Sequence, residues 1–158
     1  MITIDACDVE SLNIISTKVA DDFFCLDQLE FQNTIGVVTI PYYHCAEPRT
    51  SIVKGMVFRY EQRYLFGASL EIRSSSNYEI MGDCGIGRYS FEKLQYDPRN
   101  SLLHVAAIEG LKIVIAIEKL MVRCVVTDTI VGSFWERSLL GLFTFGPFNW
   151  NTNAICEE

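Results

Sequence analysis

Hydrophobic and polar positions alternate in short runs over most of this chain, most regularly in YLFGASLEIR, residues 64–73. There Phe66, Ala68, Leu70 and Ile72 fall on one side and Gly67, Ser69, Glu71 and Arg73 on the other. That is the period of a strand with one buried and one wet face. Similar runs are IGVVTI (35–40), stopped by Pro41, and IVKGMVFRY (52–60). RYSFEKLQY (88–96) leads into a DPRN turn with Pro98, and SLLHVAAI (101–108) ends at a reversal through Glu109 and Gly110. A short paired piece is expected at residues 78–80. LKIVIAI and LMVRCVV close the series, either as a hairpin through Glu118 and Lys119 or as one long bent strand.

Two segments carry a different period. Val9, Leu12, Ile15 and Val19 recur at three- and four-residue steps behind Asp8, a candidate N-cap, so a helix is expected over residues 9–20. Ser133 and Glu136 have the S-x-x-E spacing of a capping box, which predicts a short helix ended by Gly141. The aromatic tail LFTFGPFNW then reads as a lid laid across the sheet. Turn signals at 8–12-residue spacing and the lack of a strand–helix rhythm give the fold class. It is mainly β (a β-rich α+β fold), an antiparallel sandwich or barrel-like meander of seven to eight strands with one or two short helices, in a single domain over residues 1–158.

Composition narrows the partners. A formal charge of −7 argues against nucleic acid, because phosphate neutralisation needs a surplus of Lys and Arg. The first fifty residues hold eight carboxylates against Lys18 and Arg49, so a protein with a basic surface is the expected partner. No apolar run reaches the length of about 18 residues that a membrane-spanning helix needs, and no basic-then-apolar export signal opens the chain. No membrane association and a cytoplasmic location are expected. In that compartment the six cysteines, widely spaced and without a C-x-x-C pair, read as free and mostly buried thiols.

Candidate chemistry is sparse. MGDCGIGRYS (81–90) could cradle a phosphate, but Ser90 stands where a dinucleotide fingerprint needs glycine and a strand-like run comes next, so it reads as a turn. Cys84 lacks the surroundings of a nucleophile. PYYHCAEP (41–48), between two prolines, reads as a loop presenting Tyr42, Tyr43 and His44. His104 reads as a half-buried histidine of a strand. No metal, cofactor or catalytic set is expected. Asp21, Asp22, Asp27, Tyr42, Tyr43, His44, Trp135 and Trp150 are the candidate binding residues. The leading expectation is a non-catalytic interaction module, of the general composition of small adaptor or immunity-type proteins. Behind it come a small-ligand-binding β-domain with an apolar cavity, and an enzyme built on Cys84 or Asp83 with His44 or Arg88.

Overall fold

The computed structural model describes residues 1–45, 50–54, 58–82, 85, 87–139 and 143–152, with side chains described over 1–45, 61–82, 85 and 87–134. The elements run β1 (Ile2–Ala6), α1 (Val9–Val19), β2 (Phe23–Cys25), a 3-10 turn (Leu26–Gln28), β3 (Glu30–Gln32), β4 (Val37–Cys45), β5 (Thr50–Lys54) and β6 (Phe58–Arg73). They continue β7 (Ser75–Met81), β8 (Arg88–Asp97), β9 (Leu102–Ala107), β10 (Lys112–Ile117), β11 (Val122–Leu139) and β12 (Phe143–Thr152). Every pairing is antiparallel, in the order β1-β11-β6-β4-β2-β8-β9-β10-β7, with β12 on β11, β3 on β4 and β5 on β6. The path has two ends, β1 and β7, and does not close into a barrel. The β-rich α+β class expected from the alternation is therefore observed, with twelve strands among the described residues instead of seven or eight.

Two strands turn the same corner together. Ser74, in the left-handed region at φ 57°, separates β6 from β7. Beside it the link from β10 to β11 crosses between sheets, tied by Glu118 N–H to the Ser74 carbonyl and Arg73 N–H to the Met121 carbonyl. So β10 and β11 form neither the hairpin nor the single bent strand that their sequence allows. β10 pairs with β9 and β7, and β11 with β1, β6 and β12. The corner folds the sheet over one buried cluster that includes Ile40 and Tyr42 of β4, Leu70 of β6, Phe91 of β8, Val105 of β9 and Ile115 of β10.

Helix α1 fills the open side of this fold. Asp8 caps it by accepting from Ser11 N–H at 2.8 Å, and Leu12, Ile15 and Val19 are buried in the shared core. Its seat on β8 has a specific cause. β2 covers β8 only at residues 88–90, and the Asp21 and Asp22 backbone bonds to Phe91 end that ladder. Beyond it, Leu94 N–H donates to Ser16 Oγ of α1 at 2.9 Å, so the helix satisfies the next exposed amide of the strand.

Pro41 does not stop β4. On one side β3 pairs with residues 37–39 and β2 with residues 42–43, and Pro41 falls in the gap between them, where there is no ladder to break. Tyr42, Tyr43 and His44 are thus strand residues, not a loop. The expected helix at Ser133 is also absent. Ser133 and Phe134 lie in β11 opposite Tyr64 and Arg63 of β6, a long ladder that overrides the local capping signal. Residues 143–152 pair with β11 as a strand and are not a lid. The run 52–60 is divided between β5 and β6, which pair with each other.

Candidate functional site

The sequence candidates separate into inward and outward groups. On β4, alternation sends Tyr42 and His44 to the core side, while Tyr43 and Cys45 join Phe23, Cys25, Leu65 and Phe134 in a second cluster on the other face. Tyr43 stacks on Phe23 with ring centroids 5.1 Å apart, and the Arg88 guanidinium lies 5.3 Å from the Phe23 ring. Tyr42 is buried, its hydroxyl 3.0 Å from Cys124 Sγ and its ring edge-on to Phe91. Both tyrosines are thus core residues and not the loop-borne contacts that the prolines suggest. Burial pushes the Tyr42 phenol and the Cys124 thiol upward, so both are held neutral.

Asp22 and His44, both candidates, are brought together. Asp22 Oδ2 lies 2.7 Å from His44 Nδ1, and Oδ1 accepts from Cys45 N–H at 2.9 Å. The carboxylate continues the β2–β4 ladder one step past Phe23, replacing a backbone pair with a side chain. Burial raises the carboxyl above the ordinary range, against the opposing hydrogen bonds from His44 and Cys45. A carboxylate on Nδ1 is how a protein orients a histidine base. Of the nucleophiles nearest in the chain, however, Tyr42 is committed to Cys124 and Cys45 belongs to the opposite face. Among the described residues no group of three or more metal-ligating side chains exists.

Asp21 and Asp27 are exposed, Asp21 in the left-handed region at φ 67° and Asp27 in the 3-10 turn. With Asp22 turned inward, the three do not form one acidic face. Trp135 and Trp150 lie on β11 and β12, and their side chains fall outside the described residues. Asp83 and Cys84 also lie outside them, and Gly82, Gly85 and Gly87 take φ values of 74°, 71° and 73° between β7 and β8. His104 is half-buried on the outer face of β9, in a depression of about 640 Å³ shared with Lys93, Gln95 and Lys112.

The thiol expectation is corrected at one position. Cys25 is disulfide-bonded, whereas Cys7 and Cys124 are free thiols.

None of the sequence candidates lies in the groove that separates α1 from β1. It has a volume of about 730 Å³ and is lined by Ile4 of the strand and by Glu10, Asn13, Ile14, Thr17 and Lys18 of the helix. Of the exposed apolar side chains on these two elements, Ile14 (57%) lines the groove, and Ile2 of β1 (51%) and Val9 of α1 (50%) do not. The signal for it is present in residues 9–19, where Ile14 breaks the amphipathic pattern by standing on the wet face. No protein-family model matches this chain, and neither a curated protein nor a solved structure matches it.

Proposed function

We propose that this chain is a non-catalytic protein-binding module whose partner docks on the margin formed by β1 and α1. The observation that carries the reading is the exposure of Ile14 in the groove, with Ile2 and Val9 also exposed on the same strand and helix, beside a terminal strand of the sheet path. Clustered apolar side chains at an open strand edge are a recurrent mark of interaction surfaces. Glu10, Asp21, Asp27 and Glu30 are exposed, and with the net charge of −7 they favour encounter with a basic partner. A small-ligand role has less support, because the groove and the His104 depression open on the surface and not into the core. The Cys25 disulfide supports an oxidising compartment over the cytoplasmic one expected from the sequence.

The test is affinity capture from the native host with the wild type, Ile14→Glu and the pair Asp21→Lys/Asp27→Lys, all first checked for folding by circular dichroism. Asp22 is left intact because it is bonded inside the fold. The expected result is a stoichiometric protein that rebinds when purified, is lost with Ile14→Glu and associates more slowly with the lysine pair. Undiminished binding to Ile14→Glu, or no stoichiometric partner, overturns the reading.

A further inference from the structure

We infer that the partner contributes an extended segment that adds as a strand to β1, its groove-facing side chains reading basic, apolar and acidic at alternate positions. This rests on the proposed role of β1 and α1 as the docking margin. Three observations carry it.

First, among the described residues β1 pairs on one side only, with β11, and its register is regular from Ile2 opposite Val126 to Ala6 opposite Val122. Terminal strands are ordinarily guarded by charged side chains, proline or a bulge; ITIDA has no lysine, proline or bulge, and its one charge, Asp5, is paired with Arg123 of β11. At the other end of the path, β7 is bulged in its pairing with β10 and reads SSNYEIM, with serine, asparagine and glutamate along it. The two ends of the path differ, and β1 is the more regular of them.

Second, the groove beside β1 is open to solvent and includes two apolar side chains among its lining residues. Its helical wall is the stripe Glu10, Asn13, Ile14, Thr17 and Lys18, and Ile4 lines it from the strand. A segment hydrogen-bonded to β1 would send alternate side chains toward that wall.

Third, the wall is charged oppositely at its two ends. Glu10 and Lys18 are eight residues apart on α1, about 12 Å along its axis at 1.5 Å per residue. An extended chain covers about 12 Å in roughly four residues. A basic side chain at one position, an apolar one two residues on and an acidic one two further on would meet Glu10, then Ile4 and Ile14, then Lys18. Neither Glu10 nor Lys18 makes an ion pair among the described residues, although Lys18 is near enough to the Asp22 carboxyl to act on it electrostatically.

The experiment uses the isotope-labelled full chain and two synthetic nonapeptides. Both carry isoleucine at the centre in a threonine background. One has arginine before it and glutamate after it at alternate positions, and the other has these two exchanged. One order should bind about tenfold more tightly, the difference expected from reversing two exposed ion pairs. Binding should slow amide exchange in β1 and vanish when the peptide backbone is N-methylated. The double variant Glu10→Lys/Lys18→Glu should prefer the opposite peptide.

Any of these peptide results overturns the inference: no binding of either peptide up to about 1 mM, no preference between the orders, a preference that the charge swap leaves unchanged, or perturbed amides away from β1 and α1. A dimer in sedimentation that dissociates with Ile14→Glu also overturns it, assigning the groove to a second copy. An Ile14-dependent partner that coexists with peptide failure leaves the docking reading standing and removes only strand addition.

Discussion

Asp22–His44 and Asp5–Arg123 each join two neighbouring strands through a carboxylate and a nitrogen 2.7 Å away. Their surroundings differ. Asp22 is buried, its second oxygen is occupied by Cys45 N–H, and it stands where the β2–β4 ladder would otherwise lack a partner. Asp5 sits opposite Arg123 on exposed β1, and the same strands are already held by a regular five-residue ladder. The geometry of the contact is nearly the same in the two pairs. The cost of breaking it is set by how much water reaches the groups left behind.

The comparison can be broken most severely at Asp22. Asp22→Ala leaves a buried amide and the His44 ring without their acceptor and should cost about 3 kcal/mol, read as a lower denaturation midpoint at unchanged slope. His44→Ala keeps the Cys45 bond and should cost less, about 1–2 kcal/mol in the same assay. Tyr42→Phe removes only a hydroxyl–thiol contact inside the same core and should cost about 0.5–1 kcal/mol. Asp5→Asn should leave the midpoint within error at moderate salt, since exposed pairs contribute little.

Titration sharpens the contrast because the two carboxyls shift in opposite directions. Burial raises Asp22, so its contribution to stability is complete below the ordinary carboxylate value of 3.8 and is lost as the pH rises through its elevated value. The hydrogen bond from Arg123 lowers Asp5, so its contribution is present above 3.8 and is lost as the pH falls through its depressed value. Denaturation curves between about pH 3 and pH 8 should therefore show Asp22→Asn gaining on the wild type as the pH rises. Asp5→Asn should track the wild type across this range at moderate salt and fall below it only at low ionic strength, where the loss should vanish at the acid end. Curves for Asp22→Asn that run parallel to the wild type would mean that the carboxyl is not desolvated as described.

Much of the fold is legible where the pattern is long enough to repeat. The stripe Leu12, Ile15 and Val19 behind Asp8 marks α1, and the alternation from Phe66 to Ile72 marks the inward face of β6. The short strands are not legible, since three residues in β2 and three in β3 cannot establish a period. Nor does any local feature say that β10 and β11, separated by four residues, belong to different sheets, because that depends on the corner at Ser74. The candidate residues show the same limit. Asp21 and Asp22 are identical neighbours in sequence, and only the meeting of β2 with β4 turns one outward and the other onto a histidine 22 positions away. Pro41 hides the alternation of the four residues after it, which would otherwise separate Tyr42 and His44 from Tyr43 and Cys45.

The pairing of β1 with β11 also sets a timetable for synthesis. Asp5 leaves the ribosome 118 residues ahead of Arg123, so the first strand has no sheet to join while almost all of the chain is being made. At about 5–20 residues per second that wait is roughly 6–24 seconds. Over this interval Ile2, Ile4 and the core face of α1 are nascent apolar surface, open to chaperones and to other nascent chains. The β1 wall of the groove at β1 and α1 therefore cannot be set before residues 122–126 have been made.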